Sequence, residues 1–143
     1  MKKVVLAIVL LVLVPAASFA EKDAATSIVK RGIEAYAKGG AKAAIETWIK
    51  GSGLEGSKEA LSQANILKQI EDYYGEFEGY EIVKVHQISE RVHMVIFIID
   101  YMKGPLFARF QAYRTRSGQW VATEFKFHTE AASILPKSVV YGH

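Results

Sequence analysis

The spacing of polar and apolar residues changes near the middle of this chain. From Ala24 to Gly79, apolar side chains recur every three or four residues, the period of a helix that is buried on one side. From Tyr80 to His128, polar and apolar residues alternate, and β-branched and aromatic residues become frequent, as they are in strands. The order predicts an α+β protein in which helices precede a sheet.

Three helical segments are predicted in the first half, separated by glycine-rich breaks. Residues 24–38 and 41–50 each carry an apolar stripe, and a glycine pair separates them. A third helix follows Ser57, a residue type that often caps helix N-termini, and ends near Gly75. We expect these three N-terminal helices to pack on one face of the sheet.

Four strands are predicted in the second half, at residues 80–88, 92–101, 106–115 and 119–128. The links between them are short, so consecutive strands are expected to pair as antiparallel hairpins in a meander. A short C-terminal helical turn over residues 129–135 is expected to end at Pro136. The predicted fold class is therefore α+β, with helices on a curved, cone-like four-stranded antiparallel sheet.

The turns assign each strand side chain to a face, because neighbouring side chains of a strand point to opposite sides. A two-residue turn at 103–104 places Ile98 opposite Arg109. A similar turn before the fourth strand places Ala112 opposite Thr123. One face is then almost entirely apolar and is expected to meet the helices, and the other face is mixed.

The N-terminus has the three parts of a secretory signal peptide. Two lysines precede an apolar run over residues 4–14, and Ser18 and Ala20 fit the positions that a signal peptidase reads. We predict a signal peptide over residues 1–20 and one periplasmic or secreted domain over residues 21–143. An uncleaved membrane anchor is the alternative, because the segment from Val4 to Ala20 is only slightly shorter than the ~20 residues that cross a bilayer.

The composition excludes several kinds of chemistry. The chain of 143 residues has no cysteine, which removes disulfides, thiolate metal sites and cysteine nucleophiles. Its formal net charge of +3 includes Lys2 and Lys3 of the predicted leader, and the remaining charges of both signs are interspersed. No nucleic-acid partner is expected, because that would require clustered basic residues. We also expect no membrane contact after signal cleavage.

Two strand motifs suggest a family. The segment GPLF at residues 104–107 opens one strand, and the next strand runs from Trp120 to FKFH at residues 125–128. With helices before the sheet, the mature chain resembles the nuclear-transport-factor-2-like superfamily, the ketosteroid-isomerase-like or cystatin-like α+β cone, and particularly its small exported bacterial members of unassigned activity. The resemblance implies the fold and little chemistry, because that superfamily hosts isomerases, dehydratases, ligand binders and interaction modules.

The apolar sheet face and its junction with the third helix supply candidates for a ligand pocket. They are Tyr74, Phe77, His93, Phe97, Tyr101, Ala112, Thr123 and Phe125. The one base–donor pair among them, His93 and Tyr101, lies eight residues apart on a strand, or ~27 Å at ~3.4 Å per residue. We therefore predict no catalytic residue, cofactor or metal ion, and a small apolar ligand. The alternative is that the aromatic residues only close the helix–sheet junction.

An isomerase or dehydratase is the less favoured alternative. Such enzymes need an inward carboxylate or histidine, and the expected inner face of the last three strands contains no carboxylate. Residues 51–56 are also too short for the extra hairpin that many enzymes of the resembled superfamily carry. The chain is thus expected to be non-catalytic.

The mixed sheet face supplies candidates for a protein interface. They are Ile96, Ile98, Arg109, Tyr113 and Trp120. An apolar centre with a polar rim favours association, and homodimers that join two sheets are common in the resembled superfamily. The alternative is that the C-terminal segment, which contains apolar Ile134, covers this face. The sequence predicts an exported domain that either binds a small apolar ligand or acts as a homodimeric interaction module.

Overall fold

The computed structural model describes residues 17–143, with side chains from residue 24 onward. In chain order its elements are α1 (Ala17–Ile49), α2 (Lys58–Tyr74), β1 (Phe77–Ser89), β2 (Val92–Tyr101), β3 (Gly104–Arg114), β4 (Trp120–His128), a 3₁₀ turn (Ala131–Ser133) and α3 (Lys137–Tyr141). The sheet order β1-β2-β3-β4, all antiparallel, confirms the α+β class and the meander. Most of the predicted signal peptide lies outside the described residues. No helix within the described part is long and apolar enough to span a membrane.

The first two predicted helices form the two segments of α1, which are separated by a kink. Helix α1 changes direction at Gly40, whose φ of 78° lies in the region that favours glycine. The non-helical backbone of Gly40 therefore separates two helical segments, as the glycine pair predicted. Helix α2 packs mainly on α1, and α1 is the helix with extensive contacts to the sheet. The expectation that all three helices pack on the sheet is therefore corrected, because α2 packs mainly on α1.

Trp48 fills the space between α1 and the sheet. Its side chain is 1% exposed, and its ring centroid lies 4.9 Å from that of Phe110 and 6.2 Å from that of Phe97. The indole N–H donates to the Val29 carbonyl oxygen at 3.3 Å. Gly32 provides the necessary room, because a Cβ there would lie 1.8 Å from the indole nitrogen. The apolar face of the sheet is thus packed with aromatic rings.

The turn between β2 and β3 lies one residue earlier than predicted. Ile98 consequently pairs with Phe107 and not with Arg109. This error shifts the register by two residues, a full side-chain period, so each side chain of β3 stays on its predicted face.

A bulge in β4 exchanges the faces of two predicted site residues. The register shifts after Gln111, so Ala112 pairs with Ala122 instead of Thr123. Thr123 lies on the polar face, where its hydroxyl accepts from the Gln111 amide at 3.0 Å. Trp120 lies on the apolar face and belongs to the main core. The predicted faces of Thr123 and Trp120 are therefore wrong, because a one-residue bulge reverses every side chain beyond it.

The C-terminal segment contains more helix than predicted. The expected turn over residues 129–135 is a 3₁₀ turn at Ala131–Ser133. Pro136 ends that turn but also precedes the short helix α3, since its φ of −57° suits the start of a helix. Ile134, between the two, is 6% exposed and lies outside the main core cluster.

Candidate functional site

Three polar side chains meet where α1, α2 and β2 come together. The Tyr101 hydroxyl donates to the Tyr36 hydroxyl oxygen at 3.2 Å, and the Tyr36 hydroxyl donates to Glu71 Oε2 at 2.6 Å. Both tyrosines are 4% exposed, and Glu71 is half-buried. We call Tyr36, Glu71 and Tyr101 the tyrosine–glutamate cluster. It is a hydrogen-bonded chain that runs from the protein interior to a carboxylate at the surface.

Each member of the cluster is positioned by the end of a secondary-structure element. Tyr36 is the last buried residue of α1 before the kink at Gly40, Glu71 lies in the last turn of α2, and Tyr101 ends β2. Aromatic packing fixes the central ring, since the Tyr36 centroid lies 5.2 Å from that of Phe77 and 6.3 Å from that of Tyr101. The arrangement therefore depends on the tertiary fold.

Burial keeps both tyrosines protonated. Burial is the main cause that raises the pKa of Tyr36 far above its ordinary value, and hydrogen bonds to Glu71 and Tyr101 add to the effect. Burial also raises the pKa of Tyr101 to about 12, although its hydrogen bond to Tyr36 acts in the opposite direction. Each hydroxyl has one proton, and both protons are used within the cluster. The chain of donors ends at Glu71. What the cluster offers to a ligand is therefore the carboxylate oxygens of Glu71, which accept hydrogen bonds.

Glu71 lines two surface grooves that meet at the kink. One groove, with a volume of about 410 Å³, is bounded also by Tyr36, Lys38, Gly40 and Phe77. The other, of about 500 Å³, runs between α1 and α2. Its walls include Gly40, Lys42, Leu61, Asn65 and Lys68. The kink therefore leaves open space on both sides of the one carboxylate that ends the hydrogen-bonded chain.

The structure divides the eight predicted pocket residues among three places. Four are buried in the core: His93, Phe97, Ala112 and Phe125. Three lie near the C-terminal end of α2: Tyr74 ends that helix, and Phe77 begins β1, where it pairs with Tyr101. Thr123 is on the opposite face. From the predicted set, Tyr101 belongs to the cluster and Phe77 lines its groove, whereas the core positions are occupied by packed rings.

His93, the predicted histidine candidate, is part of the aromatic core. Its side chain is 0% exposed, and its ring centroid lies 4.6 Å from that of Trp120. On β2 it pairs with Gln87 on one side and Ala112 on the other. The structure thus places it far along β2 from Tyr101, as the strand spacing predicted.

Four of the five predicted interface residues lie on the polar face: Ile96, Ile98, Arg109 and Tyr113. Arg109 Nη2 lies 3.6 Å from Glu124 Oε1. The Arg91 guanidinium lies 4.8 Å from the Tyr113 ring centroid and donates to its hydroxyl oxygen. Ile96 is 5% exposed, and Trp120 is on the other face. Less apolar surface is available here than the sequence suggested.

Sequence reasoning missed two of the three cluster residues. Tyr36 belonged to the apolar stripe of α1, but its hydroxyl was a signal, because a buried tyrosine hydroxyl usually has a hydrogen-bond partner. Glu71 follows the buried Leu67 by four residues, which places it near the buried side of α2. Together these signals indicate a buried polar contact, but they do not identify its partners.

Comparison with known proteins establishes the fold only. No model of a known protein family matches the chain, and no curated protein sequence matches it. A solved structure from Nostoc punctiforme, described as a domain of unknown function with a cystatin-like fold, is similar to this chain with a TM-score of 0.55 and 13% sequence identity. The match covers 86% of this chain and 83% of that one. The cystatin-like α+β fold is thereby confirmed, and membership of the wider superfamily stays a prediction.

Proposed function

We propose that this protein is an exported, non-catalytic binding domain whose ligand site is Glu71 with the two grooves beside it. The observation that carries the proposal is that Glu71 ends the hydrogen-bonded chain from Tyr101 through Tyr36 and also lines both grooves. A half-buried carboxylate that faces open space attracts groups that donate hydrogen bonds. The ligand class that fits is a small molecule with an ammonium or amide group on an apolar body.

The groove walls support an apolar body for this ligand. Phe77 and Tyr36 form an aromatic wall on one side of Glu71. On the other side, Leu61 is 55% exposed above a floor that includes Ala64. Pockets for small ligands usually combine such apolar walls with a few polar groups that fix orientation.

The charges at the groove rim do not oppose a cationic ligand strongly. Lys68 Nζ lies 3.1 Å from Asp72 Oδ1, and Lys42 Nζ lies 3.8 Å from Glu46 Oε1. Both lysines of the groove between α1 and α2 are therefore matched by a neighbouring carboxylate on their own helix, which leaves the charge of Glu71 available to a ligand there.

Binding is favoured over catalysis because of where the hydroxyl protons lie. A proton abstraction next to a carbonyl needs a base and a separate donor that stabilises the oxyanion. Tyr36 and Tyr101 already donate within the cluster, and their raised pKa values prevent them from acting as bases near neutral pH. Neither tyrosine can therefore supply the base or the donor of such a reaction, and the cluster supports recognition.

The test is an NMR titration of the ¹⁵N-labelled protein with benzylammonium, and with benzyl alcohol as the neutral match. We expect benzylammonium to shift the amide resonances around Gly40 and Glu71 more strongly than benzyl alcohol does. Glu71→Gln should abolish this difference. Glu59→Gln is the matched control, because Glu59 is an exposed carboxylate of the same helix that lines neither groove and should not affect the response. An equal response to both probes, or an unchanged response in Glu71→Gln, would refute the proposal.

A further inference from the structure

Strand β1 is a long edge strand with a free side. It has 13 residues and pairs only with β2. Most of its side chains are exposed, and no backbone hydrogen bond from another described segment reaches its free edge. Free edges are ready templates for pairing with another strand, and proteins usually protect them. The free side of β1 therefore needs an explanation.

The middle of β1 combines exposed apolar residues with unpaired charges. Ile82 and Val83 are 38% and 36% exposed. They are flanked by Glu81 and Lys84, both exposed, and neither is in an ion pair with another described residue. The strand therefore has an acidic residue, two apolar residues and a basic residue in succession. When two copies of this segment run antiparallel, each acidic residue faces a basic one.

The register of β1 places both charges on the same face of the sheet. Glu81 pairs with Ile98 and Lys84 with Ile96, and these two β2 residues lie on the polar face. A bulge between Ile82 and Lys84 makes this possible, because residues three positions apart would otherwise point to opposite sides.

We infer that β1 pairs antiparallel with β1 of a second copy of this chain, about a two-fold axis between Ile82 and Val83. In this register each Glu81 faces Lys84 of the other copy on the polar face. Tyr80 of each copy faces Val85 of the other, and both residues lie on the apolar face, since they pair with Ile99 and Val95 of β2. A two-fold axis makes such an interface self-complementary, because each contact occurs twice.

The bulge selects this register. Antiparallel pairing keeps the faces matched if the two bulges, each formed by Ile82 and Val83, lie opposite each other. The axis between Ile82 and Val83 places the bulge of one copy against the bulge of the other. A shift by one residue would oppose polar and apolar faces and would separate the charges. The bulge and Lys84, features that protect an edge against unrelated strands, thus permit pairing with this strand.

This inference is independent of the proposed ligand site, and it concerns a different surface from the predicted interface on the polar sheet face. The test measures oligomeric state by sedimentation velocity, with the protein expressed with its own N-terminal segment so that any processing is natural. Four proteins are compared: wild type, Glu81→Lys, Lys84→Glu and the double variant Glu81→Lys/Lys84→Glu. The exposed α1 residues Glu34 and Lys30 give matched controls, Glu34→Lys and Lys30→Glu.

We expect the wild type to dimerise and each single variant to dimerise about tenfold less tightly or worse, because each change converts two attractive contacts into two repulsive ones. The double variant should dimerise like the wild type. A mixture of the two single variants should form heterodimers, because all four charges are then complementary. The two α1 controls should resemble the wild type.

Three results would overturn the inference. The first is a wild type that is monomeric at millimolar concentration. The second is a dimer that neither single variant weakens. The third is a dimer that Ile98→Asp dissolves while the Glu81 and Lys84 variants do not, which would assign the interface to the polar sheet face instead. Circular dichroism of each single variant, together with heterodimer formation in the mixture, shows that loss of dimers is not loss of folding.

Discussion

Gly32→Ala is the substitution that tests most directly how α1 docks on the sheet. On an exposed helix surface this change usually stabilises by up to about 1 kcal/mol, because alanine is the better helix former. Here the new Cβ would lie 1.8, 2.2 and 2.3 Å from three atoms of the Trp48 indole. The ring has no free space to move into, because it is 1% exposed and packed against Phe97 and Phe110.

The expected cost combines two effects. Overpacking of a filled core costs about 1–3 kcal/mol. Displacing the ring also breaks the hydrogen bond from Trp48 Nε1 to the Val29 carbonyl, and a buried donor without a partner costs about 1–3 kcal/mol. With the helix-propensity gain of up to about 1 kcal/mol subtracted, we expect Gly32→Ala to reduce the free energy of unfolding by about 1–5 kcal/mol.

Urea denaturation monitored by circular dichroism measures this change, and a double-mutant cycle with Trp48→Leu isolates its cause. Leucine lacks the ring atoms that would contact the new Cβ. In the Trp48→Leu background, Gly32→Ala should therefore be neutral or stabilising by up to about 1 kcal/mol. The reasoning fails if Gly32→Ala destabilises both backgrounds equally, or if it stabilises the protein that has Trp48.

Two further predictions concern pH and the N-terminus. Burial raises the pKa of Tyr101 from 10.0 to about 12. Between these two pH values the folded chain keeps the hydroxyl proton, whereas the unfolded chain has lost it. The contribution of Tyr101 to the free energy of unfolding is therefore full below pH 10 and is lost as the pH rises from 10 to 12. Urea unfolding across this range should show that decline, Tyr101→Phe should reduce it, and the exposed Tyr73→Phe should leave it unchanged. Intact-mass measurement of the exported protein should show a chain that begins at Glu21, and Ala20→Arg should retain the leader; a full-length wild type in the membrane fraction would support an anchor instead.

The parts of the fold that depend on local patterns were predictable from the sequence. Alternation identified all four strands, and short links identified the meander. The faces in β3 were correct although its turn was misplaced, because an error of two residues preserves side-chain direction. The break between the first two helices was also predictable, because Gly40 adopts a backbone conformation that favours glycine.

The candidate site could not be assembled from local patterns. Tyr36 and Glu71 are separated by 35 residues, and their contact depends on how α2 packs on α1. Periodicity gives each helix a buried side but does not say which polar residue at its margin meets which partner. The β4 bulge was equally hidden, because the chain around Thr123 contains no glycine or proline to signal an inserted residue.

That bulge also affects how this chain should be compared with its relatives. Between the turn after β3 and Thr123, one inserted residue decides which side chains reach the core and which reach solvent, while the strand order of the sheet is unchanged. A single codon gained or lost at this point would exchange Trp120 between the two faces without any substitution. An alignment that ignores the insertion would equate residues from opposite sides of the strand, and would mistake a difference in register for divergence of the surface.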